Sequence, residues 1–141
     1  MAGKDHKLEL IRRVPLFAEC GGRDLEMIGR LADEVDAPAG KTLIQEGATA
    51  HEFFAVIEGS MRVEIHGRQI ARLGPGDFFG EIALVDGGSR TATVVAEEPS
   101  RLLVVGHREF HSLLAQNPRI QLHVLQALAK RVRRLEPEGT N

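Results

Sequence analysis

The chain has 141 residues, with 18 lysines and arginines against 20 aspartates and glutamates, for a net charge of −2. That length supports one domain around one core, and the near-neutral charge excludes nucleic-acid binding by bulk charge. One cysteine, Cys20, excludes a disulfide framework, and neither a membrane-length apolar run nor a signal-like N-terminus is present, so a single cytoplasmic domain over 1–141 without membrane contact is expected.

The first zone, from about Lys4 to Val35, reads as helical. Leu8, Leu10, Ile11 and Val14 cluster before Pro15, which breaks the segment. Asp24 then caps or opens a second helix, with Leu25, Ile28, Leu31 and Ala32 at helical spacing. Cys20 fills space near that helix start.

The second zone, from about Val35 to Val105, alternates short β-rich runs with Gly and Pro punctuation. The predicted strands are Lys41 to Gln45, Glu52 to Glu58, Met61 to His66, Gln69 to Leu73, Thr91 to Ala96 and Arg101 to Val105. Turn signals separate them at Pro38-Ala39-Gly40, Gly47, Gly59, His66-Gly67, Gly74-Pro75-Gly76 and Pro99. Met61, Val63 and Ile65 alternate with Arg62, Glu64 and His66, the pattern of a strand with one wet face. A small barrel or sandwich fits these runs.

The third zone, from about His107 to Leu135, is helical again. A short helix covers His107 to Gln116. Asn117 is the expected N-cap and Pro118 the first residue of the last helix. Ile120, Val124, Leu125, Leu128, Val132 and Leu135 form its apolar stripe. The spacing of Leu125, Leu128, Val132 and Leu135 allows a homodimer seam, a lid packed on the barrel, or plain core; packing on the barrel is favoured.

The densest chemistry lies between Phe78 and Ala96. Gly80 permits a close backbone approach or an unusual dihedral. A helical turn from Glu81 to Leu84 would aim free backbone N–H groups at an anion. Arg90 brings a fork of donors suited to phosphate, and Thr91 adds a hydroxyl. Glu81 only accepts hydrogen bonds, so beside an anion its natural target is a sugar hydroxyl. A ribose carrying a phosphate satisfies the whole set. A solvated Glu–Arg ion pair would account for those two residues alone but not for the string.

Phe79-Gly80-Glu81-Ile82-Ala83-Leu84, followed by Arg90-Thr91-Ala92-Thr93-Val94 and Ala96, resembles the phosphate-binding cassette of cyclic nucleotide-binding domains. Such domains occur in cyclic-nucleotide-dependent kinases, gated channels and catabolite-activator-like regulators. Gly74 to Phe79, Gly59 and the helix–barrel–helix order fit too, and the resemblance covers about Val14 to Leu135. It implies a mainly β fold with flanking helices: a β-roll or jelly-roll-like barrel (a double-stranded β-helix) with N-terminal helices and a C-terminal lid helix. It also implies that Glu81 binds the ribose 2′-hydroxyl and Arg90 the cyclic phosphate, assisted by Gly80, the N–H groups of Ile82 and Ala83, and Thr91. Val63, Leu73 and Phe79 would line the pocket, and Arg131 and Leu135 would reach the base from the last helix.

The expectation is thus a non-enzymatic sensor of cAMP or cGMP, without cofactor or metal, that signals through its last helix to an unidentified effector protein. Thr91 beside Arg90 does not choose between the two nucleotides; a standalone module leans towards cAMP. Three alternatives stay open. The chain can be the sensing part of a catabolite-activator-like transcription regulator, though only six residues follow Leu135, so this chain alone should not bind DNA. It can be a cupin-like metalloenzyme, which needs three convergent ligands. It can also be a structural interaction domain that binds no nucleotide. His107 and His111 are one helical turn apart but lack an evident third ligand, and they read as surface histidines. Lys130, Arg131, Arg133 and Arg134 read as favourable cations near a helix C-terminus.

Overall fold

The computed structural model describes residues 2–18, 20–49, 51–80 and 89–135. Three helices come first: α1 (Ala2–Arg12), α2 (Pro15–Ala18) and α3 (Gly22–Leu31). Eight strands follow: β1 (Ala32–Ala37), β2 (Thr42–Ile44), β3 (Glu52–Glu58), β4 (Met61–Ile65), β5 (Arg68–Leu73), β6 (Phe78–Phe79), β7 (Thr93–Ala96) and β8 (Ser100–Gly106). Helices α4 (His107–Gln116) and α5 (Pro118–Leu135) complete the described order.

The strands form two antiparallel sheets, β1-β8-β3-β6 and β2-β7-β4-β5. Apart from the β4–β5 hairpin, which stays within one sheet, successive strands alternate between the two. That alternation rolls the chain into the expected β-roll. Residues of β3 face opposite ways in turn. Phe53, Ala55 and Ile57 join a cluster with helical residues such as Leu10, Phe17, Leu25 and Phe110. Phe54 and Val56 point the other way, into the roll, with Met61, Phe79, Val94, Leu102 and Val104.

The roll is entered and left through close turns. Gly59 links β3 to β4 with φ of +99°, and a Cβ there would lie 2.8 Å from the Ser100 Cα, so no other residue fits both the angle and the approach. The β2 end is tied to the β7 end, where Gly40 N donates to Ala96 O at 2.7 Å and Ala96 N to Lys41 O at 2.9 Å.

Several sequence expectations need correction. The segment to Val35 is not one helical zone: the chain leaves α3 at Ala32, with extended φ −96° and ψ 142°, and pairs with β8 from Ala32 to Ala37. Its sequence, ADEVDA, carries little apolar pattern because β1 is an edge strand held mainly by backbone bonds. Asp24 lies in the first turn of α3, whose N-cap is Gly21. Pro15 does end α1's reach, but it also opens α2, the position where its missing N–H costs least. The two-residue strand β6 is not among the expected strands, and the strand expected from Thr91 begins at Thr93.

The last helix begins at Pro118 as expected, and the Asn117 side-chain amide donates back to Leu113 O at 2.9 Å, closing α4. Ile120 and Val124 are buried among the helices. Leu125 is 61% exposed and does not pack on the roll. The side chains of Leu128, Val132 and Leu135 lie outside the described residues. Cys20 is half-buried against the helical cluster, beside the start of α3.

Candidate functional site

Arg90 stands at the seam between the two sheets. Its backbone is set by the loop after β2: Arg90 N donates to Ala48 O at 2.8 Å, and Gly47 N donates to Arg90 O at 2.9 Å. An isolated bridge from Thr49 to Ser89 extends this pairing. One step further on, Thr93 Oγ1 accepts from Glu46 N at 2.9 Å, so the same loop is stapled to β7 as well.

The Arg90 side chain then crosses to the other sheet and is only 5% exposed. Nη2 donates to the carbonyl of Glu52 at the start of β3 at 2.6 Å, and Nη1 donates to the carbonyl of Gly80, just after β6, at 2.9 Å. Burying a guanidinium is costly unless its donors are met. Two oriented carbonyls meet part of that demand and fix the plane of the fork without adding a formal charge. Backbone carbonyls thus help to hold the fork in a geometry suited to phosphate.

Gly80 is required here for two reasons. Its φ is +90°, and a Cβ would lie 2.9 Å from Arg90 Nη1 and 3.0 Å from Glu52 O. Both expectations for this residue, an unusual dihedral and a close approach, are met.

Val63, Leu73 and Phe79 come together in the interior of the roll. Phe79 is buried and stacks on Phe54, with centroids 4.9 Å apart and planes 7° from parallel. Met61 stands opposite Leu73 across the β4–β5 ladder, and Val63 follows two residues later on the same face. Val63 and Leu73 are half-buried. Thr91 is next to Arg90 and exposed. Glu81, Ile82 and Ala83 fall outside the described residues, and so do the side chains of Arg131 and Leu135, whose backbone belongs to α5.

Sequence reasoning missed two groups that hold Arg90. Both are main-chain oxygens, so residue identity at Glu52 carries no signal for them. Gly80 could signal one of them, because only a glycine lets the guanidinium approach that backbone. Among the described residues no group of three or more His, Cys, Asp or Glu side chains is placed to hold a metal, and no helix is long and apolar enough to cross a membrane.

Fold and site together define a β-roll ligand-binding module with a buried arginine at its seam. The family model described as the cyclic nucleotide-binding domain matches residues 34–117. A cyclic nucleotide-gated potassium channel of Mesorhizobium japonicum is 37% identical over 112 residues, covering 79% of this chain and 31% of the channel. The cyclic AMP receptor protein of Thermus thermophilus is 32% identical over 106 residues, covering 72% of this chain and 49% of that protein. The crystal structure of the Thermus thermophilus catabolite activator protein superposes with a TM-score of 0.76 at 29% identity, covering 85% of this chain and 59% of that one. The chain belongs to the cyclic nucleotide-binding domain family. It spans less than half the length of the two curated relatives.

Proposed function

We propose that this domain is a sensor for a purine 3′,5′-cyclic nucleotide, cAMP or cGMP. The observation that carries this reading is Arg90, buried at the sheet seam and aimed by the carbonyls of Glu52 and Gly80. A cyclic phosphate is a singly charged anion with two exocyclic oxygens, which matches a planar fork of donors. In this reading Glu81 takes the ribose 2′-hydroxyl, with the N–H groups of Ile82 and Ala83 and the Thr91 hydroxyl assisting at the phosphate. Val63, Leu73 and Phe79 supply the apolar wall.

The domain acts by binding rather than by catalysis, and its output is a population shift in the last helix. Ile120 and Val124 anchor the first turns of α5 in the helical core. The moving part is then the stretch beyond them, where Arg131 and Leu135 would meet the base. An effector protein, or a further domain of a regulator, would read that movement. Relatives named as a gated channel and as a cyclic AMP receptor support such a division between sensor and output.

Titration calorimetry with cAMP, cGMP and 5′-AMP tests the reading. A cyclic nucleotide should bind and 5′-AMP should not; no heat with either cyclic nucleotide would sink it. Arg90→Ala should weaken binding by roughly 2–5 kcal/mol, the range for losing one partner of a buried charged pair. Glu81→Ala should erode the preference for a ribose over a 2′-deoxyribose ligand. Arg131→Ala or Leu135→Ala should weaken binding without unfolding the domain, since neither belongs to the anchored turns; unchanged affinity in both would remove the lid.

A further inference from the structure

The junction between β8 and α4 gathers donors of a chemistry different from the Arg90 seam. His107 is the first residue of α4, and His111 follows one turn later. Both are exposed. Positions i and i+4 share a helix face, and here the two rings lie with centroids 4.6 Å apart and planes at 62°. Two imidazoles sharing one tetrahedral ion, with Zn–N bonds of about 2.1 Å, have ring centroids about 5 Å apart. The observed centroid spacing is close to that value.

The helix start fixes the backbone beneath the pair. His107 N donates to the His51 carbonyl at 2.7 Å, which continues the β3–β8 ladder one step beyond Glu52 and Gly106 and fixes the backbone under the first ring. Glu109 folds its carboxylate back over the same turn: a Cβ on Gly106 would lie 2.5 Å from Glu109 Oε2. Arg108 is exposed between them. Among the described residues no third protein ligand is already gathered, so water would complete the coordination.

We propose that His107 and His111 form a bidentate site for a borderline divalent transition-metal ion of the zinc, nickel or copper type. Imidazole is the donor such ions favour, whereas Mg2+ and Ca2+ take oxygen shells. The bound ion would staple the first turn of α4, the helix that leads from the roll into α5. His51, which holds His107, directly precedes the Glu52 whose carbonyl holds Arg90.

Calorimetry on the untagged full chain with Ni2+, Zn2+ and Mg2+ tests the site. One saturable site per chain is expected for Ni2+ and Zn2+ and none for Mg2+. His107→Gln and His111→Gln should each weaken binding at least about tenfold, because loss of a ligand should cost no less than loss of a group that merely orients one. Both positions are exposed, and circular dichroism checks that the variants fold. His66→Gln, on the β4–β5 turn, should leave the affinity unchanged. No saturable binding by the parent chain, or an affinity equal to the parent's in either the His107 or the His111 variant, would overturn the proposal. An equal loss in the His66 variant would overturn it too, by placing the ion elsewhere.

Discussion

The two sheets use the same antiparallel pairing but bury it differently. In β1-β8-β3-β6 the central strands are covered on both faces, by the helices on one side and the roll interior on the other. Their sequences, EFFAVIE and SRLLVVG, are accordingly near-continuous apolar runs. In β2-β7-β4-β5 the roll interior covers one face; on the other, β7 still buries Val95 while β4 and β5 carry arginines and Glu64. Arg62 and Arg72 stand directly opposite each other there, and Arg72 is paired with Glu97 at 2.6 Å. The difference separates the work: one sheet is the rigid wall that presents the Glu52 and Gly80 carbonyls, and the other brings Arg90 to them across the seam.

If that contrast is right, the largest loss should come from the wall. Phe53 is fully buried, stacked on Phe110 at 4.6 Å and tilted against Phe78 at 5.7 Å. Phe53→Ala should cost about 3–5 kcal/mol, read from urea unfolding. Next is the crossing between sheets: Gly59→Ala forces a side chain into a positive-φ site against Ser100. The backbone strain alone should cost about 1–3 kcal/mol, and a stability equal to the parent's would mean that the crossing can move. On the half-covered sheet, Val63→Ala should cost only about 1 kcal/mol, because part of the lost methyl area is already wet. A loss as large as that of Phe53→Ala would erase the distinction between the sheets.

The smallest effect belongs to the outer face. The Arg72 hydrogen bond, with its charge and that of Arg62 behind it, holds the Glu97 carboxyl below its ordinary range, and Glu97 raises Arg72 in turn. A depressed carboxyl stabilises the fold at neutral pH, and that contribution disappears as pH falls through the lowered pKa. Glu97→Gln should therefore lower stability slightly at neutral pH, by the small amount expected of a surface pair, and leave it unchanged below the lowered pKa, so the acid limb flattens by that same small amount. A steep loss at neutral pH would show that the outer face bears more of the fold than its exposure suggests.

Much of this architecture was legible in the chain. The strand from Glu52 to Glu58 and the helix from His107 to Gln116 fall where the apolar runs and their Gly and Asn punctuation place them. Strand β1 was not legible, since an edge strand needs backbone partners more than apolar side chains, and its partner β8 lies about seventy residues away in a register that only folding sets. Leu125 shows the opposite error: it stands one residue, about 100° of helix, past the buried Val124 and so faces outward, while Ile120 and Val124 take the core.

For the ligand site the division is similar. The amino-acid order alone singled out Gly80, Arg90 and Thr91 as candidates, because a positive dihedral, a fork of donors and a hydroxyl are written in residue identity. It also determined the family, through the length and order of the Phe78 to Ala96 string. Tertiary structure alone decided which carbonyls help to aim Arg90. The Glu52 and Gly80 carbonyls belong to the backbone, which every residue has, and only the packing of one sheet against the other brings them within hydrogen-bonding distance of one guanidinium.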